Sequence, residues 1–163
     1  MLQLENVTVR FGGLTAVNDV TLSVGTGDLV GLVGANGAGK TTLFNAISGL
    51  VRPTAGRIVF NGTDVLKAPM YQRARMGIGR TFQIPQPMHE LTVRQNLEVA
   101  QRFGPGSVDQ RRIDEILEFT NLAAKAGRDA STGLALTELK ALEVAKALST
   151  NPKLLLLDEV LAG

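Results

Sequence analysis

Nine consecutive residues, Gly34-Ala-Asn36-Gly37-Ala38-Gly39-Lys40-Thr41-Thr42, have the composition and spacing of a loop built to hold phosphate. Glycines at 34, 37 and 39 let the backbone curl without β-carbon clashes, so that successive N–H groups can converge on one anion. Lys40 sets a cation beside the β- and γ-phosphates, and the Thr41 hydroxyl is an oxygen donor suited to magnesium. An apolar run, Leu29 to Val33, enters the loop and a helical stretch, Thr41 to Ser48, leaves it, which brings the positive end of a helix dipole to the phosphates. A glycine-rich turn ahead of an ordinary helix is the plain alternative, and a second motif tells against it.

That motif is Leu154-Leu-Leu-Leu157-Asp158-Glu159. An apolar strand ending in two acids delivers carboxylates to the end of a buried parallel strand, where active sites of α/β sheets lie. Asp158 suits magnesium held through water, and Glu159 suits orienting or deprotonating a water that attacks the γ-phosphate. Standing alone, the motif could be a solvated acidic turn; with the upstream phosphate loop, the pair specifies nucleotide hydrolysis.

These groups need elements to position them. Leu2 to Phe11 and Val20 to Val24 show period-two apolar spacing and predict an antiparallel pair, and Asp28 to Val33 predicts a further strand leading into the loop. Arg57 to Phe60 followed by Asn61-Gly62 predicts a short strand running into a tight turn. In the second half, Thr92 to Gln101, Asp109 to Thr120 and Glu138 to Ser149 carry apolar residues at helical spacing, with Gly104-Pro105-Gly106 breaking the first from the second. The expectation is an α/β P-loop core with an antiparallel β subdomain and a helical subdomain over 84–150, in one nucleotide-binding domain, 1–163.

Composition excludes several other classes. A chain of 163 residues with 44% hydrophobic residues can bury one sizeable core. A formal charge of +2 on scattered basic residues predicts no nucleic-acid face. There is no cysteine, and the single histidine, His89, cannot build a metal site and reads as a surface loop residue. The first ten residues lack the pattern of a secretion signal, and no stretch of about 18 apolar residues occurs. A cytoplasmic location is expected, with any membrane association made through a partner.

Five segments follow one another in an order that is itself informative: Phe11-Gly-Gly-Leu-Thr-Ala-Val17, the phosphate loop, Gly79-Arg-Thr-Phe-Gln83, Leu91-Thr-Val-Arg-Gln-Asn-Leu97 and Leu142-Glu-Val-Ala-Lys-Ala-Leu148. On these the chain resembles ATP-binding cassette (ABC) transporter ATPase subunits, most closely those of branched-chain amino acid importers, over Leu2 to Gly163. The resemblance implies ATP and Mg2+ as ligands. It implies that Phe11 stacks on adenine, that Gly34, Asn36 to Thr42 bind the phosphates, and that Thr41, Gln83 and Asp158 serve the metal. Gln83 and Glu159 are the catalytic positions it implies, Gln83 also reporting on the transmembrane partner.

The family's signature segment aligns with Leu134-Ala135-Leu136-Thr137-Glu138, where Ala135 lacks the serine hydroxyl and Thr137 replaces a glycine. Two groups used to grip the opposite subunit's γ-phosphate are thus altered, while Thr137 is expected to cap the following helix. The implied partners are a second ABC ATPase subunit in a homo- or heterodimer, transmembrane permease subunits contacted near Pro85 to Met88, and indirectly a solute-binding protein. The implied location is the cytoplasmic face of the plasma membrane. The family's next loop, its switch histidine and its final strands are not found before Gly163, so the fold is expected without its C-terminal strands and with a gap in the central sheet. Two alternatives follow: a fragment that binds nucleotide without hydrolysing it, and a soluble non-transport ATPase of the same family.

Overall fold

The computed structural model of the chain describes residues 1–158, which cluster into two compact units, Met1–Arg73 and Ala74 onward. In the first unit, β1 (Leu2–Phe11), β2 (Leu14–Val24), β3 (Ala55–Phe60) and β4 (Thr63–Asp64) form one antiparallel sheet in the order β2-β1-β3-β4. The expected antiparallel pair is present, and its second strand begins earlier than the alternation alone marked. Leu2 and Leu4 point into the core, but Val7, Thr8 and Val9 are all buried in succession. The reason is a register shift between Leu4 and Val7, where Asn6 adopts a positive φ of 49° across from Asp19 at 54°. The Asn6 amide donates to the Asp19 carboxylate at 2.8 Å, tying the two irregular residues together. The Asn61-Gly62 turn joins β3 to β4 with φ of 48° and 78°, the doubly left-handed geometry that favours this residue pair.

Helix α1 (Lys40–Ser48) buries Leu43, Ala46 and Ile47 and packs against β1 and β2. A short helix, α2 (Met70–Met76), was not legible in the sequence, because its only buried residue is an arginine and it has no apolar period. That residue, Arg73, is 1% exposed. Its Nη1 donates to the Ala46 and Ile47 carbonyls at 2.7 and 2.8 Å, and its Nε to the Ala68 carbonyl at 2.8 Å. A cation thus takes up last-turn carbonyls of α1, the negative end of that helix. Burial pushes the Arg73 pKa down, Asp64 pushes it back up, and a guanidinium keeps its charge regardless.

One expectation fails in this unit. Residues 28–35 form no strand, and Leu29 and Val33 are 100% and 94% exposed. An apolar run has strand propensity, but a strand has no hydrogen bonds of its own and exists only beside a neighbour. Among the described residues, no strand pairs with it.

In the second unit, β5 (Ile78–Arg80) and β6 (Leu154–Leu156) pair in parallel. Helices α3 (Val93–Phe103), α4 (Gln110–Phe119) and α5 (Leu136–Ser149) enclose a core that includes Val93, Leu97, Ile113, Leu117, Leu142 and Ala145. All three helices were legible from spacing. Thr92 and Gln95 close a reciprocal cap on α3, and Asp109 caps α4 by accepting from Arg112 N–H at 3.1 Å. Gly104 to Gly106 separates α3 from α4 as expected. Among the described residues, no helix is long and apolar enough to cross a membrane.

Replacing Arg73 by Met keeps the bulk but takes the donor from two buried bonds, to the Ala46 and Ile47 carbonyls, so we expect unfolding stability to fall by about 2–4 kcal/mol. Urea denaturation of the two proteins checks this; equal midpoints would show that the guanidinium is dispensable.

Candidate functional site

The phosphate loop is held from beneath by a contact of backbone on backbone. Gly39 has φ of 87°, and a β-carbon built on it would sit 2.2 Å from the Ala16 carbonyl oxygen of β2. Glycine is required twice over here, by conformation and by space. Gly39 is also the N-cap of α1, with no side-chain cap and no acidic residue in the first turn. The helix therefore meets solvent with its dipole uncompensated by its own side chains, the condition that favours an anion. Gly37 is left-handed as well, at 79°, and the loop closes through the Ala38 N–H to Ala35 carbonyl bond at 3.1 Å.

Lys40 folds over this loop, its Nζ donating to the Gly34 and Ala35 carbonyls at 2.6 and 2.9 Å. Gly34, Ala35, Asn36, Gly37 and Ala38 are all exposed, and Thr41 and Thr42 are partly buried in the first turn of α1. A cation, a run of exposed loop residues and a helix start without a side-chain cap suit a polyphosphate, so the residues present fit a nucleotide. Phe11 ends β1 opposite Leu14, and at 50% exposure its ring is available for stacking.

In the second unit, Gln83 and Asp158 follow the C-terminal ends of the parallel strands β5 and β6, three and two residues beyond them. Thr81, fully buried, donates its N–H to the Leu156 carbonyl at 3.0 Å, while its Oγ1 accepts from the Asp158 N–H at 3.0 Å. Arg80 reaches the Asp158 carboxylate at 3.9 Å and stacks over the Phe82 ring at 4.6 Å. Burial pushes the Arg80 pKa down, and Asp158 pushes it back up. Thr81 and Arg80 set the aspartate, and neither was singled out for that role from sequence; a β-branched hydroxyl residue at a strand end was the available signal. Gln83 follows two residues on and is exposed. Glu159 lies outside the described residues. Among the described residues no cluster of three or more His, Cys, Asp or Glu could hold a metal.

The segment Leu134 to Glu138 opens α5, with one correction. Its N-cap is Ala135, whose side chain cannot accept a hydrogen bond, and Thr137 is exposed inside the first turn rather than capping it. The cap is half of the usual reciprocal pair: Glu138 turns back to accept from the Ala135 N–H at 2.8 Å and also pairs with Lys125. Those two partners, Lys125 first, hold the Glu138 carboxyl below its ordinary pKa. His89 is exposed, as expected.

Known proteins resemble this chain along its length. The family model described as ABC transporter matches residues 17–162. A probable branched-chain amino acid transport ATP-binding protein of Archaeoglobus fulgidus is 39% identical over 177 aligned residues, covering 100% of this chain and 68% of the relative. A lipopolysaccharide export system ATP-binding protein of Haemophilus influenzae is 40% identical, with coverages of 100% and 68%. A dimeric ATP-binding cassette, solved in a post-hydrolysis state bound to ADP and Pi, superposes with a TM-score of 0.88 at 25% identity over 99% of this chain and 75% of that one.

The Gly39 contact yields a sharp test. A methyl group at 39 must displace either the loop or β2, so Gly39→Ala should lower nucleotide affinity by about tenfold or more while α3 to α5 keep their structure. Titration with a fluorescent ATP analogue, paired with circular dichroism, reads both.

Proposed function

The chain belongs to the ABC transporter family of ATP-binding proteins, and from that membership we propose that it binds Mg-ATP on Gly34 to Thr42 to power the import of branched-chain amino acids. What carries the nucleotide reading is the loop's own geometry: two left-handed glycines, a helix start without a side-chain cap, and Lys40 folded over both. The choice of solute rests on similarity to the Archaeoglobus protein across the whole chain. A second reading has an observation of its own, since the lipopolysaccharide export protein is equally similar; the same ATPase would then drive a lipid outward.

The Lys40 ammonium and the amides at the start of α1 are assigned to phosphate oxygens, and the Phe11 ring to adenine. Thr41, Gln83 and Asp158 are the oxygen donors assigned to magnesium, and Glu159 is the base. Bound Mg-ATP supplies the transferable γ-phosphoryl group, with the metal neutralising charge on its oxygens. As water adds to the γ-phosphorus, the new P–O bond forms, the bond to the bridging oxygen breaks, and Glu159 holds the released proton.

The working assembly is two ATPase subunits on a transmembrane permease, at the cytoplasmic face of the membrane, with a solute-binding protein acting on the permease. ABC cassettes work as dimers, and the cassette bound to ADP and Pi is one. Leu134, Ala135, Leu136, Thr137 and Glu138 are assigned to the opposite subunit's γ-phosphate. With no hydroxyl at 135, the grip falls on backbone amides at the start of α5, a weaker hold than the family's serine gives. Pro85 to Met88 is the permease contact.

Three variants test this. Lys40→Ala should weaken ATP binding about 30- to 100-fold, the worth of a charge-assisted bond. Glu159→Gln should spare binding while slowing phosphate release about 100-fold or more; binding that ignores Lys40 would sink the nucleotide reading. Met88→Asp should cut copurification with the permease at least about tenfold through the cost of burying a carboxylate, and unchanged assembly would remove that contact.

A further inference from the structure

The loop that follows Gln83 contains Pro85-Gln86-Pro87-Met88 and has no secondary structure to hold it. Two side-chain groups hold it instead. On α5, Glu143 is 3% exposed, and its Oε1 accepts from the Gln86 N–H at 2.9 Å. One turn on, the Lys146 ammonium donates to the Gln86 carbonyl at 2.6 Å and to the same Glu143 oxygen at 2.6 Å. One ion pair thus takes both backbone groups of a single loop residue, as a neighbouring strand would. On α3, Asn96 is fully buried and treats Met88 in the same way: Oδ1 accepts from the Met88 N–H at 2.8 Å, and Nδ2 donates to the Met88 carbonyl at 3.4 Å.

The chemistry makes the α5 pair more than packing. A carboxylate taken out of water is costly unless paired, and an apolar residue at 143 would fill the same space without that cost. The buried charge is matched to one geometry, in which Gln86 presents its N–H and C=O to α5. Prolines on both sides of Gln86 restrict its backbone, so little freedom remains once the pair is made. The helix that makes the grip is the helix whose first turn is the Ala135 to Glu138 segment.

We propose that the Glu143–Lys146 pair is a positioning device that joins α5 to the Gln83–Met88 loop as one rigid body, so that a displacement at the start of α5 is carried to Gln83. The grip stands on the contacts alone; its consequence for hydrolysis rests on the nucleotide reading of Gln83 given above. Neither side chain touches substrate, and both act through the loop backbone.

Hydrogen exchange on the full chain tests the grip without nucleotide. Lys146→Met should speed exchange of amides in 83–88 about tenfold or more, leave α3 and α4 unchanged, and be rescued by Lys146→Arg. Unchanged loop exchange, or equal loosening of α3 and α4, would overturn the proposal, since the second is what a merely structural ion pair gives. Should Lys146→Met fail to fold, the wild type still decides: the Lys146 ammonium protons should be visible by NMR as slowly exchanging and scalar-coupled to the Gln86 carbonyl, and their absence overturns the grip. For the coupling, Mg-ATP should shift resonances of both 136–139 and 83–88 in the wild type, and in Lys146→Met only one of the two. A response confined to one segment in the wild type overturns the coupling. If neither segment responds, the nucleotide reading falls, and the exchange result still decides the grip.

Discussion

The Ala16 carbonyl oxygen occupies the space that any side chain at position 39 would need, and much of the first unit follows from that contact. It presses the loop backbone against β2, fixes the point where α1 begins, and so sets the direction in which the helix dipole and the first-turn amides face. Lys40 is the next residue in the chain, and its reach over the loop depends on the helix starting there. At the far end of α1, Arg73 holds the last-turn carbonyls. Helix α1 is thus pinned at one end by the absence of a side chain and at the other by a long, charged one.

The second unit uses polar side chains in place of strand neighbours. Thr81 ties the end of β5 to the end of β6 on both sides of its own residue; Asn96 and Glu143 do comparable work for the loop beyond Gln83. Each case gives a backbone group a side-chain partner. Asp158 and the loop beyond Gln83 are in this way held by side chains from other elements.

Local signals and cooperative ones fared differently. The helices of the second unit could be read from spacing because a helix closes its own hydrogen bonds and needs only a face to bury. The Asn61-Gly62 turn could be read because two adjacent positive φ angles are a local demand. The apolar run from Leu29 to Val33 looked no less decided, yet it forms no strand, since a strand's stability belongs to its neighbours. Short β5 and α2 went unread for the opposite reason: three residues carry no period, and a helix whose buried residue is an arginine shows no apolar one. Thr137 was a good capping residue in the wrong place, because the N-cap position falls two residues earlier, at Ala135.

The sequence by itself marked the glycine-rich loop with its lysine and threonines, and the two acids after the last apolar run, because glycine spacing and residue type are local signals. It also determined the family, through motifs in order. Tertiary structure alone decided why Gly39 must be glycine, what Arg73 is for, and which side chains hold Asp158 and the loop after Gln83. Those are contacts between residues that are distant in the chain, 27 positions apart for Arg73 and Ala46 and 77 for Thr81 and Asp158. No local pattern encodes them, because a buried hydrogen bond is chosen by the partner that folding delivers.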